Sequence, residues 1–136
     1  MTLTEERTAK NKRGAETREK LIDATVQLVA EWGPDAVNLR DIGREADQKN
    51  NSVVQFHFGT KEGVLAAAVT DRLPAVLDQH PSDADRRTIE FLGRMLASKT
   101  WAHLVHDHPL VADRFGLDHA ARGRQFSVVI ELAFLP

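Results

Sequence analysis

The chain has 136 residues, of which 42% are hydrophobic and 28% are charged, a composition typical of an ordinary soluble globular protein. Its longest apolar runs fall far short of the ~20 residues that a membrane span needs. The polar, charged N-terminus lacks the apolar core of a signal peptide, and the absence of cysteine excludes disulfides and thiolate metal sites. These features predict a cytoplasmic protein without membrane contact.

The net charge of −2 does not indicate a nucleic-acid-binding protein, but the distribution of charge is uneven. Between Arg7 and Lys20, six basic and two acidic residues give a local charge of +4. We interpret residues 1–16 as a basic, mobile N-terminal arm that suits contact with phosphates or a minor groove. The alternative is a solvated flexible end.

The first predicted helix runs from Thr17, its N-cap, to Trp32. Apolar residues recur in it at helical spacing, and Gly33 followed by Pro34 ends it. The residues of its apolar face are Leu21, Ile22, Thr25, Leu28, Val29 and Trp32.

A pair of short helices comes next. Asn38 begins the first of them, with Asp41 as its capping-box partner, and Gly43 suggests close helix packing. After a polar break at residues 47–49, a helix is predicted from Asn50 to Phe58, capped by Asn50 or Asn51 and ended by Gly59. Its predicted apolar contacts are Val53, Val54, Phe56 and Phe58.

The remainder is also predicted to be helical. Thr60 caps a helix that Pro74 kinks or ends, and Asp83 or Asp85 opens a helix that residues 101–105 extend. Pro109 starts a segment ending near Gly116, and Asp118 caps a last helix. The chain is therefore predicted to be all-α: an arm (1–16), a three-helix helix-turn-helix head (17–62) and a short helical dimerisation and regulatory bundle (63–136).

Two short helices behind a longer amphipathic one form a DNA-binding unit whose second short helix enters the major groove. Short and amide side chains on this helix suit base edges, and flanking lysines suit phosphates. These residues are Lys49, Asn50, Asn51, Ser52, Gln55 and Lys61. The pattern predicts duplex DNA as the partner.

The stretch from Thr17 to Val69 resembles the N-terminal domain of TetR-family transcriptional regulators. The resemblance rests on the TREKLIDA opening, the Gly33 break, LRDI at 39–42, REA at 44–46 and HFGTKE at 57–62. It implies a homodimeric repressor that binds a palindromic operator and is released by a small-molecule inducer, without an enzymatic activity or a cofactor.

The resemblance also assigns DNA contacts by position. Asn38 and Arg40 are expected at phosphates, and Thr60 and Lys61 are expected to present a helix N-terminus to the backbone. The full set of expected DNA-binding residues is Asn38, Arg40, Lys49, Asn50, Asn51, Ser52, Gln55, Phe56, His57, Thr60 and Lys61.

Three departures from the family pattern stand out. Asp47 occupies a turn position where the family usually has Gly. No Tyr is present to bond phosphate near the end of the recognition helix, where Gln55 and Phe56 stand instead. Only 74 residues follow Glu62, which is few for an inducer pocket and a dimer interface. We therefore expect either a naturally compact regulator or a truncated one.

Other residues allow two interpretations each. His103, His106 and His108 form either a metal site or, as we favour, a polar helix end. Trp32 and Trp101 either stack on a ligand or, as favoured, anchor packing. An apolar set at the C-terminal end packs internally or, as favoured, forms a dimer seam; it comprises Phe126, Val129, Ile130 and Phe134.

Two other function classes remain as alternatives. The first is a degenerate or truncated regulator that acts as a protein-interaction partner without its own DNA binding. The missing Tyr and Asp47 favour it slightly, and the retained polar and basic residues argue against it, namely Lys49, Asn50, Asn51, Thr60 and Lys61. An enzyme would have to use acids such as Asp83, Asp85 and Glu90, which stand near no histidine, nucleophile or glycine loop at a supporting spacing.

Overall fold

The computed structural model of the chain describes residues 2–50, 52–78 and 85–115. Within these ranges the chain forms helices and no strand, which confirms the predicted all-α fold class. The helices are α1 (Leu3–Trp32), a 3-10 turn (Pro34–Ala36), α2 (Leu39–Glu45), α3 (Val53–Phe58), α4 (Lys61–Leu77), α5 (Arg86–Ala97), α6 (His103–His106) and α7 (Pro109–Phe115). The helix predicted from Asp118 lies outside the described residues.

Helix α1 is longer than predicted. It begins at Leu3 because Thr2 forms a capping box with Glu5, in which the Glu5 amide donates to Thr2 Oγ1 at 3.2 Å and the Thr2 amide donates to Glu5 at 3.0 Å. The prediction that Thr17 caps the helix is wrong, and residues 3–16 are helical. The predicted end is confirmed, since Gly33 stops α1 with a positive φ of 81°.

Helix α2 begins as predicted, because Asn38 and Asp41 form the reciprocal capping box at 2.8 and 3.1 Å. Helix α3 begins at Val53 rather than Asn50. Its N-cap is Ser52, and Asn50 lies outside the helix with its side-chain oxygen accepting the Ser52 amide at 2.8 Å. Asn50 therefore orders the turn before α3 rather than capping the helix.

The predicted cap of α4 is confirmed, since Thr60 Oγ1 accepts the Gly63 amide at 3.0 Å. Pro74 does not end this helix, which continues to Leu77 because Val76 and Leu77 are buried in the core. The ion pair between Arg72 and Asp23 joins α4 to α1.

Helix α5 is capped by Asp85, as one of the two predicted alternatives, and ends at Ala97. The predicted extension through residues 101–105 is wrong. The buried Ser98 hydroxyl donates to the Asp35 carboxylate at 3.1 Å and accepts the Trp101 amide at 3.1 Å, and this turn separates α5 from α6. Helix α7 begins at Pro109 as predicted.

One hydrophobic core runs through all of these elements, from Leu21 in α1 to Val111 in α7. Helices α2, α4 and α5 pack directly on α1, while α3 packs on α2 and α4. The expected boundary between residues 62 and 63 falls inside α4, so the helix-turn-helix and the later helices share this core. None of the described helices combines the length and the apolar character that a membrane crossing needs.

Substituting alanine for either of two glycines inside helices should change the stability of the protein in opposite directions. A Cβ at Gly63 would lie 2.1 Å from the Phe58 carbonyl oxygen, whereas a Cβ at Gly43 would meet Val54 Cγ2 at an ordinary 3.7 Å. We expect Gly43→Ala to raise the free energy of unfolding by about 0.5–1 kcal/mol. Gly63→Ala should lower it by about 1–3 kcal/mol. Urea unfolding followed by circular dichroism measures both, and shifts of the same sign would contradict the packing described.

His108 predicts a dependence of stability on pH. The Leu110 amide donates to its Nδ1 at 3.2 Å, so Nε2 carries the proton that faces Thr70 Oγ1 at 3.0 Å, and burial lowers the pKa of the ring. Since the histidine of the unfolded chain has a pKa of about 6.5, the unfolded chain binds more protons than the folded chain just below that pH. The stabilising contribution should be complete above about pH 6.5 and be lost as the pH falls through that value towards the lower pKa of the folded state.

His108→Asn isolates this contribution from those of the other histidines. Urea midpoints measured at neutral and at mildly acidic pH should differ less for the variant than for the natural chain. An equal difference in both proteins would rule out the neutral, hydrogen-bonded His108.

Candidate nucleic-acid interface

Helices α2 and α3 form the predicted helix-turn-helix, and a left-handed residue makes the turn between them. Asp47 has a φ of +57°, and the Gln48 amide donates to the Gly43 carbonyl at 2.9 Å. Aspartate tolerates this geometry because its short side chain is less hindered there than longer or branched ones. Asp47 thus adopts a left-handed conformation at the turn position where the family usually has Gly.

Helix α3 is only six residues long and depends on packing for its stability. Val54 is fully buried, while Val53 and Phe58 are half-buried against the core. The prediction that Phe56 packs against the core is wrong, because its side chain is 84% exposed. The side of α3 that faces solvent therefore presents Gln55 and Phe56.

The C-terminal end of α3 is held by aromatic contacts. The Arg18 guanidinium lies over the Phe58 ring, 5.2 Å from its centroid. The His57 ring lies edge-on to Phe56 at 5.2 Å and near Phe58 at 6.1 Å. These contacts, with Gly59 at a φ of 79°, fix where α3 stops and α4 starts.

The expected DNA-binding residues lie together around α3 and the two helix N-termini beside it. Eight are exposed, namely Asn38, Arg40, Lys49, Asn50, Ser52, Gln55, Phe56 and Thr60, and two are half-buried, His57 and Lys61. Asn51 lies outside the described residues. From Lys49 to Lys61 the sequence contains no acidic residue, so α3 and the turns that flank it carry positive charge only.

Three of these side chains already have local roles. The side-chain oxygens of Asn38 and Asn50 and the hydroxyl of Thr60 each accept a backbone amide. The Asn50 amide nitrogen stays available as a donor. Lys49, Arg40 and Gln55 are exposed and suited to contact with a partner.

Sequence reasoning missed a contact that positions the start of α4. Lys61 Nζ lies 5.7 Å from the centroid of the Trp101 ring, and Glu62 Oε1 lies 3.6 Å from His103 Nε2. The partners are about 40 positions apart in the chain, and no local pattern indicates such a pairing. Residues at α6 thus contact the first turn of α4, beside the candidate interface.

The family model of bacterial regulatory proteins of the tetR family matches residues 21–68, from the buried part of α1 to the middle of α4. The matched segment contains the complete helix-turn-helix described above. Over this segment, the chain matches the TetR family.

The chain is also similar to curated proteins that are named as HTH-type transcriptional regulators. The HTH-type transcriptional repressor Rv3405c of Mycobacterium tuberculosis is 37% identical over 82 residues, which cover 57% of this chain and 43% of the relative. The HTH-type transcriptional regulator Mb3439c of Mycobacterium bovis matches with the same identity and coverage. The match therefore spans less than half the length of these relatives. No solved structure matches the chain at a comparable level.

The three histidines that suggested a metal site do not come together in the fold. His103 faces Glu62, whereas His108 faces Thr70, more than two turns further along α4. Among the residues that the structure describes, no three histidine or acidic side chains stand close enough to hold a metal.

Two of the three acids considered for catalysis, Asp85 and Glu90, serve as structural groups. Asp85 caps α5 and accepts hydrogen bonds from the Thr88 hydroxyl and amide. Partial burial raises the pKa of Asp85, but these hydrogen bonds outweigh that effect, so its pKa lies below the usual value. Glu90 pairs with Arg86 at 3.1 Å. Asp83 lies outside the described residues.

The two tryptophans differ. Trp101 is half-buried against the core, as a packing anchor should be, and its ring stacks on that of His103 at 6.4 Å. Trp32 is 63% exposed, so its predicted packing role is wrong; it borders an open groove of about 280 Å³ with Leu28 and Arg44. The expected dimer seam of Phe126, Val129, Ile130 and Phe134 lies outside the described residues.

Proposed function

We propose that this chain is a sequence-specific transcriptional regulator that binds duplex DNA with α3 in the major groove and acts as a repressor. The observation that carries the proposal is the exposed, acid-free surface of α3, which the core holds outward beside the N-termini of α2 and α4. The match to the TetR family and the name of one relative as a repressor support it.

Each part of this surface suits a different feature of DNA. The Gln55 amide can bond adenine in a bidentate manner, and the exposed Phe56 ring suits the methyl group of thymine. Arg40 and Lys49 suit phosphates, which add affinity without reading sequence. The free amides of α4 after Thr60 suit a further phosphate, since α4 is 17 residues long and its dipole favours an anion there.

The proposal includes a homodimer on a palindromic operator. One α3 reads only a few base pairs, and two helices related by a twofold axis read half-sites one helical turn apart, about 34–36 Å. Occupying such a site in a promoter blocks polymerase sterically. A protein with this role works in the bacterial cytoplasm, where the chromosome lies.

Release by a small molecule is a prediction that comes only from the family resemblance. The grooves between the described helices are open to solvent, including the one beside Trp32. If an inducer exists, we expect it to act by changing the separation of the two recognition helices.

A selection from a random-sequence duplex library tests the proposal. We expect the purified chain to enrich an inverted repeat, and we expect its affinity for that repeat to fall steeply with salt. Lys49→Ala should weaken binding to all sequences alike. It should reduce the slope of log affinity against log salt by about 1.8, because the dimer loses two phosphate contacts of about 0.9 each. Gln55→Ala should instead reduce discrimination at one base pair per half-site, by about 1–3 kcal/mol.

Arg114→Ala is the matched control. It removes one positive charge where Arg114 faces Asp78 at the far end of α4, about 25 Å from Lys61. This variant should bind as the natural chain does. If no duplex is bound even at low salt, the alternative of a protein-interaction partner without DNA binding is correct instead. If Gln55→Ala weakens all sequences equally, α3 is not the recognition helix.

A further inference from the structure

The first five turns of α1 stand outside the core. Every described residue before Leu21 is exposed or half-buried, whereas Leu21 and Ile22 are fully buried. At 1.5 Å per residue, the segment from Leu3 to Lys20 extends about 27 Å beyond the buried part of the helix. We call this segment the α1 extension.

Charges on the α1 extension are segregated by side. Arg7, Asn11, Gly14 and Arg18 follow one another at spacings of four, three and four residues and so lie on one stripe, with Lys10 beside it. The four glutamates of the extension, Glu5, Glu6, Glu16 and Glu19, all lie at least about 100° around the helix from Arg18. The stripe is therefore basic, although the extension as a whole carries both signs.

The stripe points towards the recognition helix. Ile22, Thr25 and Val29 are buried and continue the spacing of Arg18 along α1, so the stripe is the outward continuation of the core-facing side. At the edge of the core, Arg18 lies over Phe58, the last residue of α3. From this contact towards the N-terminus, the same side of α1 continues past the end of α3 without being covered by the core.

The composition of the α1 extension indicates which kind of partner its basic stripe can bind. Its apolar residues are Leu3, Ala9 and Ala15, which are too few and too small for a coiled-coil seam or a docked core. A row of two Arg and one Asn without an acid, with Lys10 beside it, suits a polyanion. Gly14 leaves a gap in the row, with no heavy atom within 4 Å of where a Cβ would stand.

We propose that the α1 extension lies across the sugar-phosphate backbone next to the groove that α3 enters, with Arg7 and Lys10 at phosphates and Asn11 as a further donor. A helix about 10–12 Å across is too wide for a minor groove of about 6 Å, so the extension contacts the backbone and does not read bases. This inference rests on the proposed function, because it takes the DNA bound by α3 as its partner.

Two double variants with the same loss of charge test the inference. Arg7→Ala with Lys10→Ala removes the stripe, whereas Lys12→Ala with Arg13→Ala removes two charges from the other sides of the same helix. All four residues are exposed, and alanine favours helix, so both proteins should fold. Affinity for the selected operator and for a mixed-sequence duplex of the same length is measured across a salt series.

The stripe variant should reduce the salt slope by about 3.6 on both duplexes, because the dimer loses four phosphate contacts, two per protomer, of about 0.9 each. The control variant should change the slope by much less. Equal slopes in the two variants would overturn the inference as an effect of net charge alone.

The mass in solution, measured by light scattering, separates a protein contact from a DNA contact. If the stripe variant alters the mass and leaves the salt slope unchanged, the stripe binds another copy of the chain and the inference is wrong. Failure of the natural chain to bind any duplex would instead overturn the proposed function itself, so the two failures are distinguishable.

Discussion

Burial of one side of α1 determines where the other helices lie. Leu21, Ile22 and Val29 are fully buried, and α2, α4 and α5 pack directly against this side. Helix α3 is too short to be stable in isolation, and it is held in place by packing against α2 and α4, with Val54 fully buried. The exposed surface of α3 is thus a consequence of how α1 buries its apolar residues.

The same packing joins the helix-turn-helix to residues outside the segment that matches the family. Trp101 lies beside Lys61, and Ser98 bonds to Asp35 in the 3-10 turn after α1. Both Trp101 and Ser98 come after residue 68, where the family match ends. The start of α4, which flanks the candidate interface, is therefore positioned partly by α6 and by the turn before it.

Features set by neighbouring residues were predictable from the sequence. The Asn38–Asp41 capping box, the Thr60 cap and the helix stops at Gly33 and Gly59 depend on side chains three or four positions apart and on the freedom of glycine. The polar break that contains Asp47 and most of the surface that surrounds α3 followed in the same way.

Features that depend on competition between two possible N-caps, or on contacts between residues far apart in the chain, were not predictable. Thr17 is a reasonable N-cap, but Thr2 with Glu5 is a better one and no proline intervenes, so α1 starts earlier. The exposure of Phe56 depends on which side of a six-residue helix meets the core, and hydrophobicity alone suggested the wrong side. The contacts of Trp101 with Lys61 and of Ser98 with Asp35 join residues far apart in the chain, and Trp32 is exposed although it continues the apolar spacing of α1.

The placement of α3 in the major groove is tested most directly by crosslinking from a single site. The chain has no cysteine, so Gln55→Cys and, as a control on α7, Asp113→Cys each introduce one attachment point for a photoactivated crosslinker. If α3 enters the major groove, the reagent at position 55 crosslinks to bases inside each half-site of the selected operator, and the reagent at position 113 does not. Crosslinking of equal yield from both positions, or from neither in a complex that still forms, would contradict it.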